Sequence, residues 1–214
     1  MGGSVIAATE ALERLKEGNR RFVSGKLAHA AFSPARRAEL AVAQAPFAIV
    51  LGCSDSRVPA ELVFDQGFGD LFVIRVAGNI VAPSQVGSVE FAAALFSTRL
   101  VVVLGHTQCG AIKATLDELQ RPTGSQSRNI RSIVDRVRPA VEPLLTSDLR
   151  HDREAMMRHA VRANISASVD QLRHGSEILE QLIEREGLLI VGAEYSLESG
   201  VVDFFDGMPG PGAR

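Results

Sequence analysis

The sequence predicts an α/β fold, a mostly parallel central β-sheet flanked by helices. Three observations carry that expectation. Four short runs, FAIVLGC (47–53), LFVIRVAG (71–78), LVVVLGH (100–106) and LLIVGAEY (188–195), are almost unbroken apolar stretches rich in β-branched residues. Strands buried on both faces have this pattern, because side chains pointing either way are shielded from water. The segments between them carry helical periodicity, and strands alternating with helices imply parallel pairing through crossovers. Finally, 214 residues with 46% hydrophobic and 22% charged content suffice for one sizeable core and exclude a disordered chain.

From the N-terminus, Leu12, Leu15 and Phe22 fall at helical spacing among Glu10, Glu13, Arg14, Lys16, Arg20 and Arg21. This is an amphipathic helix whose apolar stripe needs a surface to cover it. Ser33 followed by Pro34 marks a second helix start, since a proline at the first helical position forfeits no hydrogen bond, and residues 36–43 continue it. Further helices are expected over 84–97, 109–119 and 154–186; in the last, Met157, Val161, Ile165, Val169 and Leu172 mark one face and Gly175 interrupts it. A helical segment carrying Arg128, Arg131, Asp135, Arg136 and Arg138 reads as a solvated or subunit-contact face. VVDFF (201–205) is expected as an edge strand, 121–127 as a long loop and 207–214 as a mobile tail. Residues 1–214 are expected to form one domain, of which 1–45 are a helical arm.

The formal net charge of −2 offers no electrostatic footprint for nucleic acid, and no apolar run approaches the length of a membrane span. The opening residues lack a basic stretch followed by an apolar segment, so a cytoplasmic location is expected. The chain has only two cysteines, and both sit in charged company: CSDSRVPAE (53–61) and GHTQCG (105–110). A lone disulfide is a poor expectation in a reducing compartment, so metal or catalytic thiols are favoured. His29, His151, His159 and His174 have no partner at ligand spacing and read as surface residues.

Both cysteine stretches follow a buried strand, which places them at the carboxyl edge of the sheet, where open α/β folds hold their ligands. If the chain stays extended past the first strand, Cys53, Asp55 and Arg57 point to one side. On a first helical turn, His106 and Cys109 share a face, and a helix N-terminus favours the thiolate that binds metal. Two sulfurs, one imidazole and one carboxylate make a tetrahedral zinc set of Cys53, Asp55, His106 and Cys109. Asp55, however, can pair instead with Arg57. Three protein ligands then remain, the formal charge at the ion rises from −1 to zero, and water can take the fourth position, as in catalytic zinc sites. Thiolates donate more charge than imidazoles, so weaker acidification of that water and an alkaline preference are expected.

The C-x-D-x-R of Cys53, Asp55 and Arg57, with the distant H-x-x-C of His106 and Cys109, resembles the motif pair of the β-class carbonic anhydrases. The resemblance implies one Zn²⁺ per chain on Cys53, His106 and Cys109, Asp55 as exchangeable fourth ligand and Arg57 as its partner. It implies reversible hydration of CO₂ to bicarbonate and a proton by zinc-bound hydroxide. It further places Gln44 as a donor to bound bicarbonate and Phe72, Ala77 and Phe91 in the apolar CO₂ pocket, some of them from a neighbouring subunit. A homodimer or dimer of dimers is implied, with the N-terminal helical arm packing on a partner subunit and covering the Leu12, Leu15, Phe22 stripe. The chain departs from the family at Phe91, often tyrosine in plant members, and at RVAGN (75–79) in place of RNVAN. It has no tryptophan to join Arg75 and Tyr195 in an inhibitory bicarbonate site. Hydrolysis of COS or CS₂ by the same hydroxide, a Cys nucleophile with His106 as base, and a non-catalytic zinc protein are the alternatives.

Overall fold

The structure, a computed structural model, describes residues 5–28, 33–121 and 127–210. His29, the expected loop between 122 and 126 and the last four residues of the expected tail lie outside the described residues. Five strands, β1 (Ala48–Gly52), β2 (Leu71–Arg75), β3 (Leu100–His106), β4 (Leu189–Tyr195) and β5 (Val202–Asp206), form one sheet in the order β2-β1-β3-β4-β5. The first four pair in parallel and β5 closes the far edge antiparallel to β4. Around them lie α1 (Ala8–Val23), α2 (Pro34–Leu40), α3 (Ala60–Val63), α4 (Pro83–Leu95), α5 (Gly110–Gln120), α6 (Arg128–Val141), α7 (Arg153–His174) and α8 (Glu177–Glu186).

The apolar runs alternate between two cores. Ile49, Leu51, Val101, Val103 and Ile190 face a layer built from α4 to α8, whereas Ala48, Val50, Val102, Leu104 and Val191 face α1 and α3. Strands read as continuous apolar segments because both of their faces are covered. The long C-terminal helix breaks where Gly175 was expected to break it, and Ser176 restarts it by accepting the Leu179 N–H as cap of α8. The four-residue α3 and the 3₁₀ turns at Glu142–Thr146 and Asp148–His151 escaped the sequence reading; segments this short hold too little periodicity to register.

The first helix corrects one expectation. Leu12 and Leu15 are buried by their own chain, against Phe64, Val50 and Val102, so these side chains need no partner subunit to leave water. Buried Asn19 fastens the helix further: its amide donates to the carbonyls of Val63 and Gly200, and its oxygen accepts the Val202 N–H. Helix α2, by contrast, buries none of its residues. Contact at Gly18 is so close that a Cβ there would stand 1.8 Å from the Phe64 carbonyl oxygen. Gly18→Ala is therefore expected to cost at least about 1–3 kcal/mol as overpacking. Thermal unfolding should report a Tm lowered by on the order of 5 °C.

Candidate metal centre

β1 and β3 are neighbours in the sheet, and their carboxyl ends deliver Cys53 and His106 side by side. Neither connecting segment has the local conformation expected of it. The chain continues beside β2 to Ser54, whose N–H donates to the Val76 carbonyl at 3.2 Å, and then turns, with the Val58 N–H bonded to the Asp55 carbonyl at 3.0 Å. Asp55 folds its carboxylate over this turn: Oδ1 accepts the Arg57 N–H at 3.0 Å, an aspartate turn rather than an extended alternation. His106 ends β3, and Cys109 stands just before α5 rather than on its first turn. Between them Gln108 adopts a left-handed φ of 57°, and this bend brings the two donors together. The Thr107 hydroxyl holds the bend by accepting the Leu197 N–H at 3.0 Å.

The outcome is a three-donor cluster, Cys53 Sγ, a His106 ring nitrogen and Cys109 Sγ, all buried and all within 4.8 Å of one another. The His106 Nδ1 faces the Thr107 carbonyl at 2.9 Å and so carries the proton. Its Nε2, buried, has no hydrogen-bond partner, which suits a lone pair aimed at a cation. The two sulfurs lie 4.0 Å apart. Tetrahedral zinc, with Zn–S near 2.3 Å, would set them about 3.8 Å apart, so the donors fit that ion in kind and in spacing.

The charges argue the same way. Without an ion, Cys53 is drawn down to about 4 by its hydrogen bond with Cys109, aided by His106 and the Gly78 and Asp55 amides against the opposing effect of burial. Cys109 is pushed up by the Cys53 sulfur and by burial. Burial opposes a charged His106, yet Cys53, the Thr107 carbonyl and Asp55 outweigh it and raise its pKa. The cluster is thus an anionic pocket suited to a cation. Zinc-free protein should show the ultraviolet absorbance of one thiolate, not two, at neutral pH, fading as pH falls towards about 4. The sign follows from a folded value below the unfolded thiol's ordinary one near 8.5: the stabilising contribution is full above that value and is lost on acidification.

Asp55 is held by Arg57 through two parallel contacts, Nε to Oδ1 at 2.9 Å and Nη2 to Oδ2 at 2.7 Å. That pairing keeps its carboxyl well below the usual carboxylate range. Oδ2 nevertheless lies only 3.8 Å from His106 Nε2, at the rim of the donor cluster. Arg75 braces the turn. Its Nε donates to the Cys53 carbonyl at 3.1 Å and its Nη2 to the Asp55 carbonyl at 2.6 Å.

The expected pocket residues separate into two groups. Ala77 opens a 3₁₀ turn, Ala77–Asn79, beside the donors, and the Gly78 N–H donates to Cys53 Sγ at 3.3 Å. Phe72 pairs in register with Ile49, three residues back from the Gly52–Arg75 pair, or about 10 Å down the strand. It meets Phe91 at 6.2 Å and Phe96 at 6.1 Å between ring centroids. Gln44 precedes β1, at the end opposite Cys53, and lines an open groove with Leu40, Val42, Phe68 and Phe96. Within one chain, then, Gln44, Phe72 and Phe91 do not close over the metal donors.

Two cysteine sulfurs and an imidazole, with a carboxylate as potential fourth ligand held by an arginine, at the carboxyl edge of a parallel sheet define an α/β protein whose donors suit a zinc centre of catalytic type. Comparison with known proteins takes this further. Residues 48–202 match the carbonic anhydrase family. A carbonic anhydrase of Mycolicibacterium smegmatis is 41% identical over 196 residues, covering 90% of this chain and 91% of its own. The fold is similar to that of a β-carbonic anhydrase of Aspergillus fumigatus, with a TM-score of 0.72 at 23% identity over 94% of this chain and 92% of that one. It is also similar to the tetrameric β-carbonic anhydrases of Sordaria macrospora, with a TM-score of 0.71 at 24% identity over 88% and 93%. The chain belongs to the β class of the carbonic anhydrase family.

Proposed function

We propose that this chain catalyses the reversible hydration of CO₂ to bicarbonate and a proton, with one Zn²⁺ per chain held by Cys53, His106 and Cys109. The observation that carries this reading is the unpartnered, buried His106 Nε2 facing two cysteine sulfurs while Asp55 is engaged by Arg57. Bound zinc supplies the acidity that makes water a nucleophile near neutral pH. Arg57 engages both oxygens of Asp55 and would withhold the carboxylate from a bound ion, leaving room for water. Asp55 Oδ2, fixed at the rim, accepts a hydrogen bond from the nucleophile and orients it.

The substrate pocket is completed by a second copy of the chain. Phe91 is 52% exposed, Leu95 62% and Phe68 46% in the single chain; Phe91 lies against Phe72, and Phe68 lines the groove with Gln44. A homodimer or dimer of dimers that brings this face over a neighbour's Cys53 and Ala77 would supply the apolar wall and the Gln44 donor that one chain lacks. Exposed α2 is the part of the arm left to pack on the partner. No helix of the described residues is long and apolar enough to cross a membrane. The two free thiols suit a reducing compartment, which supports a cytoplasmic location.

Stopped-flow CO₂ hydration at known zinc content is the test. Activity proportional to zinc and rising steadily from about pH 6.5 to 9 is expected, because Asp55 stays ionised and paired throughout that range. Full zinc occupancy without hydration at any pH would overturn the reading.

A further inference from the structure

Helix α7 contributes no metal ligand, yet two of its buried polar side chains reach the turn that donates to the Cys53 sulfur. Asn164 Nδ2 donates to the Gly78 carbonyl at 2.8 Å, and Ser168 Oγ donates to the Asn79 carbonyl at 3.1 Å. Both residues are almost wholly buried, at 2% and 4% exposure, so these bonds do not compete with water. The turn they hold is an unusual one: Gly78 has φ 74° and Asn79 φ 43°, two left-handed residues in succession, a conformation that asparagine adopts at a cost.

That conformation sets the turn against one donor and beside residues next to the other two in the chain. The Gly78 N–H donates to Cys53 Sγ. A Cβ on Gly78 would stand 3.0 Å from the Ala111 side chain, two residues past Cys109. On the remaining side, Asn79 Oδ1 approaches Gly105, next to His106, where a Cβ would be 3.3 Å away. Ile165, between the two polar residues of α7, fills the same place from behind, at 2.5 Å from that Cβ position. Chance packing of a helix on a sheet does not require two side-chain donors aimed at consecutive carbonyls of a strained turn.

We propose that Asn164 and Ser168 are positioning residues of the metal centre. By fixing the Gly78–Asn79 turn they aim the Gly78 N–H at the Cys53 sulfur, and thereby set how tightly the site holds its ion and how much charge that sulfur donates. A hydrogen bond to a thiolate withdraws electron density from it; without the clamp the sulfur becomes the stronger donor but the site a looser one. This inference rests on the zinc reading of the three donors and not on the identity of the substrate.

The test uses the full chain with Ser168→Ala, Asn164→Ala and the conservative Ser168→Thr, and Val169→Ala as a control on the same helix that buries no bond to the turn. Zinc affinity is read by chelator competition, and the sulfur by the thiolate-to-metal charge-transfer band of the Co²⁺-substituted protein. Ser168→Ala and Asn164→Ala are expected to weaken zinc binding by about 10–100-fold, the usual cost of losing an outer partner. The charge-transfer band should move to longer wavelength in both, Ser168→Thr should restore both readouts, and Val169→Ala should lower stability while leaving band and affinity in place. Parental band and affinity in Ser168→Ala would overturn the proposal, as would equal losses in Val169→Ala at matched stability. Should Asn164→Ala fail to fold, Ser168→Ala and its threonine counterpart decide alone. Parental zinc binding that responds to the clamp as described, in a protein without CO₂ hydration, would sink the proposed activity and leave this inference standing.

Discussion

Arg57→Ala is expected to abolish most CO₂ hydration while leaving zinc in place. The guanidinium occupies both oxygens of Asp55, and Oδ2 lies 3.8 Å from His106 Nε2. Once freed, the carboxylate has a short path to the fourth position, and as an anion beside a cation it will take it. Activity should drop by at least about 10²-fold, in line with the cost of misplacing a reacting group, with one zinc per chain retained or bound more tightly. Asp55→Ala in the same background should leave the position open again and recover part of the loss. Metal analysis beside stopped-flow kinetics checks both statements; zinc lost together with activity in Arg57→Ala would sink the idea that Arg57 acts by withholding Asp55.

His106→Ala should have the opposite signature, with zinc and activity disappearing together. Nε2 is the one nitrogen of the cluster, and its removal leaves two sulfurs 4.0 Å apart in a buried site with no imidazole to share their charge. The loss of zinc affinity should exceed the about 10–100-fold typical of outer partners, and hydration should fall to the buffer background. Added imidazole that restores neither binding nor rate is compatible with this; a variant that keeps stoichiometric zinc would refute His106 as a ligand. The fold should survive, since the strands around the site are covered on both faces by cores that do not include the imidazole.

Much of this was legible in the sequence for a physical reason. Strands buried on both sides must be mostly apolar, and β1, β3 and β4 are, apart from His106 and Glu194 near their carboxyl ends, so they stood out with their approximate limits. Metal donors must be particular atoms, and with two cysteines in 214 residues there was little ambiguity about which. What stayed hidden depends on direction and distance. That Asp55 meets Arg57 through a turn, and that Cys109 precedes its helix after a left-handed Gln108, are facts of local backbone geometry that residue types do not encode. Leu12 and Leu15 announced an apolar stripe but not whose surface would cover it. Asn164 and Ser168 sit in an ordinary helical pattern more than a hundred positions from Cys53, and a polar residue on a helix looks solvated until its neighbours are known. Arg75 was visible as a charge, but its bonds go to carbonyls, which every residue has.

The sheet order has a consequence for how the protein opens. Cys53 and Cys109 are 56 positions apart in the chain and meet at the ends of adjacent strands, so an ion shared between them closes α3, β2, α4 and β3 into a ring that β1 enters at Cys53. No part of the ring can swing away without breaking a coordinate bond or sliding the whole loop through the sheet. Helix α8 and edge strand β5 lie outside it and are free to fray on their own. Loading the ion should therefore slow amide exchange unevenly, most in β1 and β3 and least in β5, and turn one stretch of the polypeptide into a single cooperative block while the remainder keeps its own local openings.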